Sequence, residues 1–142
     1  MFLLDTNVIS ELRKLHDRAA DSNVTAWVAR EEMTSFYISA MTIMEIEIGI
    51  RRLERRDPVR GAKLRAWMDH QLLPEFSSRL LPFDAAVAVR CASLHVPVSA
   101  PLKDSLIAAT ALVHDMTVVT RNVVDFAPTG VRLLNPWIPL SA

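Results

Sequence analysis

Phe2-Leu3-Leu4-Asp5-Thr6-Asn7-Val8-Ile9-Ser10-Glu11-Leu12 is the stretch that decides the fold. An apolar run stops abruptly at an aspartate. Phe2 to Leu4 read as a short buried strand, and Asn7 to Leu15 as a helix carrying Val8, Ile9, Leu12 and Leu15 on one face. The unit is strand, turn, helix, with a carboxylate at the strand's C-terminal end. In open parallel α/β sheets that edge is where ligands bind. Asp5 is therefore expected to seed an acidic, metal-binding cluster to which later segments each add a piece.

The rest of the chain repeats the alternation. Asp21-Ser22-Asn23 caps a helix through Val24, Trp27 and Val28, and Phe36 to Ser39 is a strand of β-formers. Thr42 is expected to open a third helix with Ile43, Ile46, Ile50 and Leu53 as its stripe; Arg51, Arg52, Arg55 and Arg56 crowd its end, where cations suit the dipole. Asp57-Pro58 starts a long amphipathic helix through Leu64, Trp67, Met68 and Leu72, which Pro74 should end or bend. Arg79 to Phe83 is a third strand, and Asp84 caps a helix over Ala85 to Leu94. After a proline-bearing loop, Val96 to Pro101, comes a strongly apolar helix, Leu102 to His114. Met116 to Thr120 is a strand, Arg121 to Phe126 a turn, and Val131 to Leu134 a last short strand, antiparallel or at the edge. Strands alternating with helices predict an α/β fold: a central, mostly parallel sheet of about five short strands flanked by helices.

Composition sets the bounds. A chain of 142 residues, 51% hydrophobic and 23% charged, fits one domain, residues 1–142, with a sizeable core. The formal net charge of +0 argues against charge-driven coating of nucleic acid but leaves room for a local basic face beside an acidic pocket. The single cysteine, Cys91, excludes an internal disulfide and reads as a small buried apolar residue. His16, His70, His95 and His114 are scattered, with no metal-type spacing. No basic segment precedes an apolar core at the start, so no signal peptide is expected. The most apolar helix is shorter than the ~20 residues a bilayer needs. These features lead to the expectation of a cytoplasmic protein with no membrane contact.

Topology brings particular polar residues to one sheet edge. Asp5 ends the first strand, Glu45 lies in the first turn of the third helix, Asp104 near the start of the apolar helix, and Asn122 and Asp125 after the fourth strand. Crowded carboxylates repel and drift toward protonation unless a cation neutralises them. Hard oxygen donors at ~2.0–2.1 Å suit Mg²⁺ or Mn²⁺. Such an ion can activate water and stabilise charge on a phosphodiester under in-line attack. Each residue also has a plain structural role open to it. Asp5 fits an N-cap. Thr42-Ile43-Met44-Glu45 fits a capping box. Asp104 fits a helix-start charge, and Asp125 an ordinary turn.

Leu4 to Glu11, Ser39 to Gly49, Leu102 to Ala111, Val118 to Phe126 and Val131 to Trp137 together resemble the PIN-domain proteins, in their VapC/FitB-like branch. Those are the toxin halves of type II toxin–antitoxin pairs. The resemblance implies an α/β/α sandwich and a Mg²⁺- or Mn²⁺-dependent endoribonuclease in which Asp5, Glu45 and Asp104 bind metal. It further implies a homodimer, an RNA substrate and a VapB-like antitoxin that often carries the DNA-binding part, so that DNA is met only through that partner. One position departs from the family pattern: Asn122 stands where many members carry an aspartate after Thr-Arg, and Asp125 is the residue that could substitute. Thr6 and Thr120 are candidates to orient ligands through their hydroxyls. Two other classes compete: a non-catalytic module that binds an antitoxin or nucleic acid through the acidic pocket, and a haloacid-dehalogenase-type hydrolase. The latter needs a second aspartate where this chain has Asn7.

Overall fold

The computed structural model describes residues 1–15 and 17–139; His16 and the last three residues lie outside it. Five strands form the sheet: β1 (Phe2–Leu4), β2 (Phe36–Ser39), β3 (Leu80–Leu81), β4 (Thr117–Val119) and β5 (Leu133–Leu134). Their order is β3-β2-β1-β4-β5, and every neighbouring pair is parallel. The last strand is thus an edge strand but not antiparallel: Val118 pairs with Leu133 in parallel register. The chain runs outward from β1 to β3, then crosses back to add β4 and β5 on the other side. Strand order therefore reverses between β1 and β4, where the crevice at the carboxyl ends is open to a ligand.

Period-2 alternation sends successive strand residues to opposite faces. Leu4, Phe36, Ile38 and Val119 pack on one face with Trp27 and Ile50. That face is covered by α1 (Thr6–Leu15), α2 (Ser22–Arg30), α3 (Ala40–Arg56) and α4 (Pro58–Trp67). Leu3 and Val118 pack on the other with Ile107, Ala108 and Phe126. Those come from α7 (Leu102–Val113) and the short α8 (Val123–Phe126). The result is an α/β/α sandwich. The alanine-rich α7 is apolar nearly all round because α6 (Ala85–Ser93) covers its outer side, with Val87 and Cys91 against Ala109.

Three local expectations are corrected or narrowed. Helix α3 starts at Ala40, not Thr42: Ser39 is the N-cap, and its Oγ accepts the Thr42 N–H at 3.1 Å. Glu45 consequently lies in the second turn, out of reach of a capping box, which needs it three residues after the cap. Pro74 does not end its helix. A π-turn over Met68–Leu72 widens the backbone ahead of it, and the helix continues as α5 (Leu73–Phe76). In such a turn the proline's missing N–H and bulky ring are accommodated. Arg121 to Phe126 is not a simple turn but leads into α8. Close approach of α3 and α4 requires Gly61, where an added Cβ would stand 2.6 Å from the Glu54 Cα.

Candidate metal centre

Asp5 follows β1 directly, and its main chain joins the two elements. Its N–H donates to the Val119 carbonyl at 3.0 Å, and its own carbonyl accepts Val8 and Ile9 N–H groups from the first turn of α1. The side chain is 3% exposed. One carboxylate oxygen, Oδ1, accepts the Thr6 N–H at 2.8 Å, a helix-start contact. The other, Oδ2, accepts the Thr120 hydroxyl at 2.8 Å and lies 3.4 Å from Asn7 Nδ2. Thr120, fully buried just past β4, also accepts the Asn122 N–H at 2.9 Å. The capping reading of Asp5 therefore accounts for one oxygen only; the second is tied to Thr120, just past β4.

Glu45 reaches the same crevice from α3. Its Oε1 accepts the Thr6 hydroxyl at 3.0 Å and its Oε2 stands 3.3 Å from Lys103 Nζ. Asp104, in the first turn of α7, has its carboxyl pushed above the ordinary range. Burial is the main cause; Lys103 opposes it, and the charges of Asp5 and Asp125 add to it. Lys103 experiences the converse. Burial works to lower its ammonium, but Glu45, Asp104 and Asp5 together hold it above the ordinary lysine value. Five charged groups, from the end of β1 and from α3, α7 and α8, thus share one electrostatic environment. Asp125 is exposed on α8 and lines a cavity of about 400 Å³ together with Asp104, Ser105 and the Val96–Pro101 loop. Asn122 caps α8 through its main chain, and its exposed side chain makes no cap bond.

Two participants escaped the sequence reading. Asn7 bridges Asp5 and Thr120, and its Oδ1 accepts the Arg121 N–H at 3.4 Å. Lys103 is the other. Its signal was legible: a cation in a helix's first turn opposes the dipole, and something must compensate. Other residues that the sequence singles out are structural. Glu11 pairs with Lys14 at 3.0 Å and accepts the Asp21 N–H, tying α1 to α2. Arg51 is a solvated helix residue 3.4 Å from Glu47. Cys91 is buried. His95 is partnered, with Nε2 2.8 Å from Ser105 Oγ.

The profile of the PIN domain matches residues 2–127. The chain belongs to the PIN-domain family. Within it, the chain falls in the VapC/FitB-like branch. It is 34% identical to "VapC ribonuclease Y4jK" of Sinorhizobium fredii, over 98% of this chain and 99% of that protein. It is 35% identical to "Toxin FitB" of Neisseria gonorrhoeae, over 96% and 99%. The fold agrees. A structure described as "FitAB bound to IR36 DNA fragment" superposes with a TM-score of 0.87 at 34% identity, covering 99% of each chain. The FitAcB crystal structure from Neisseria gonorrhoeae gives 0.85 over 96% of this chain and 99% of the other.

The donor set of this PIN domain fits a hard divalent cation. It offers three carboxylates and an amide oxygen, and the pocket already attracts a cation, the Lys103 ammonium. The side chains are not gathered for coordination in this conformation. Among the described residues no three acidic, histidine or cysteine groups stand close enough to hold an ion. Glu45 is drawn instead to Thr6 and Lys103.

The raised Asp104 carboxyl has a stability consequence. A carboxyl that holds its proton more tightly folded than unfolded disfavours the fold as pH rises above the ordinary value of 3.8. Asp104→Asn should therefore raise the melting temperature of the metal-free protein at pH 7, in EDTA. The gain should shrink as pH falls through the carboxylate range. A lower melting temperature at pH 7 would mean that Asp104 is a stabilising helix-start charge instead.

Proposed function

We propose that the chain is the metal-dependent endoribonuclease toxin of a VapBC-like toxin–antitoxin pair. The observation that carries this reading is a chain of contacts: Glu45 meets Lys103 at the head of α7, next to Asp104, and shares Thr6 with Asp5 at the end of β1. The names of relatives support it: "VapC ribonuclease Y4jK" and, matching about half of this chain, "Ribonuclease VapC14". Asp5, Glu45 and Asp104 would hold Mg²⁺ or Mn²⁺, with Asn122 or Asp125 at a fourth position. Once bound, the ion supplies an activated water and a counter-charge for the phosphodiester. The chain's own residues do the positioning. Thr120 and Thr6 donate to Asp5 and Glu45 and so fix the orientation of the two carboxylates. Burial of Asp5 keeps water from competing for it.

Thr120→Val tests that positioning. The variant keeps the shape but removes the hydroxyl that donates to Asp5, and RNA cleavage should fall about 10–100-fold. Cleavage within twofold of wild type would remove Thr120 from the mechanism.

The same reading includes a cytoplasmic setting, a homodimer and an antitoxin. Neighbouring structures are described as FitAB and FitAcB complexes. An apolar cavity of about 690 Å³ between α1 and the α4–α5 helix, lined by Ile9, Leu12, Trp67 and Phe76, offers an antitoxin helix a place. None of the acidic group lines it. The antitoxin would bring the DNA contact. The competing reading, a non-catalytic module, draws on Lys103 already neutralising the pocket and on Asn122 replacing a charge.

Purified protein, freed of antitoxin, should be incubated with total cellular RNA in Mg²⁺, in Mn²⁺ and in EDTA. Discrete cleavage in the metal arms alone supports the enzyme. Cleavage that persists in EDTA refutes metal dependence, and folded protein inert in every arm favours the module.

A further inference from the structure

We propose that Lys103 is a tethered counter-ion that occupies the acidic pocket until a divalent cation displaces it, and so sets the metal affinity of this chain. The inference rests on the metal reading above and adds a residue which that reading does not use.

Lys103 occupies the second position of α7, where its charge meets the positive end of the helix. A lysine placed there for solubility would extend into water. Instead its Nζ stands 3.3 Å from Glu45 Oε2, across from another element, with its side chain 49% exposed and that of Glu45 20% exposed. Glu45 is thereby occupied at both oxygens: Thr6 donates to one and Lys103 faces the other. That arrangement explains why the carboxylates, although mutually close enough to interact, are not gathered for coordination.

A divalent ion in this pocket would meet a like charge a few ångströms away. The two cannot share the Glu45 oxygen, so binding must break the ion pair and move the ammonium outward. The side chain has the means: four rotatable carbons, half in solvent already, and one ionic contact to release. The charge next to Asp104 therefore taxes metal binding while it protects the metal-free pocket from its own repulsion.

The test is Mn²⁺ titration by calorimetry in the absence of RNA, on antitoxin-free wild type, Lys103→Met, Lys103→Arg and Lys63→Met, the last on the exposed side of α4. Removing one unit of like charge beside the ion should tighten Mn²⁺ binding about tenfold in Lys103→Met. Lys103→Arg and Lys63→Met should stay within about twofold of wild type, since each preserves the local charge. In EDTA, Lys103→Met should melt below wild type, and saturating Mn²⁺ should reverse that order. Unchanged or weaker Mn²⁺ binding in Lys103→Met overturns the inference while leaving the metal centre standing. Absence of Mn²⁺ binding in both wild type and Lys103→Met removes the metal reading, and the inference with it.

Discussion

Asp5→Asn leaves a folded protein whose RNA cleavage is lower by about a thousandfold or more. The magnitude follows from the several kcal/mol of charge stabilisation that a bound ion supplies, at 1.36 kcal/mol per tenfold in rate. Asparagine is the informative replacement. Asp5 is buried and accepts from Thr6, Thr120 and Asn7, so alanine would orphan those donors and confound chemistry with folding. The amide keeps the shape and one acceptor for the Thr6 N–H. It removes the negative charge and one of the two carboxylate oxygens. Circular dichroism and the melting temperature should stay near wild type. A folded Asp5→Asn protein that cleaves RNA within tenfold of wild type would place the chemistry elsewhere.

Trp27→Ala produces the largest loss of stability, about 3–5 kcal/mol. Trp27 is 2% exposed and lies in the core beneath α2. Its ring stacks on Phe36 of β2 at a centroid distance of 5.2 Å and meets Phe2 of β1 edge-on at 5.3 Å. Truncation removes the transfer energy of the largest buried side chain and opens a cavity between helix and sheet. It also removes two aromatic pairs, each worth about 0.5–1.5 kcal/mol beyond area. A domain holds only about 5–15 kcal/mol in total, so the variant should lose a large share of its stability and unfold at clearly lower urea. A loss below about 1 kcal/mol would mean that the helix α2 face is not anchored as described. The acidic pocket lies at the other end of the strands' packing, so Trp27→Ala that remains folded should still bind Mn²⁺.

Much of this was written in the sequence because several signals were local. The stop from Leu4 to Asp5 placed a carboxylate at a strand end, and alternation of short apolar runs with amphipathic helices predicted the parallel sheet. Caps with an acceptor side chain were legible where nothing competed: Asp21 and Asp84 both accept main-chain N–H groups at the helix starts expected of them. The start of α3 was misplaced because Thr42 imitates a cap. The true cap, Ser39, ends a strand, and only the strand's end fixes the helix start. That Pro74 would not end its helix was hidden for a similar reason, since the π-turn that absorbs the proline has no composition of its own. The direction of β5 depends on a crossing that no window of sequence contains. Lys103 was passed over because its partner, Glu45, is remote in sequence and adjacent only across the sheet edge.

The central claim is that Asp5, Glu45 and Asp104 hold one divalent ion. The most direct measurement is diffraction from crystals of the antitoxin-free protein soaked in Mn²⁺, with data collected at the manganese absorption edge. The account predicts an anomalous peak in the β1–β4 crevice, with oxygens of Asp5, Glu45 and Asp104 at about 2.0–2.2 Å as expected for such an ion, and Lys103 turned away. A peak elsewhere, or no peak in crystals shown to contain manganese by fluorescence, would contradict it.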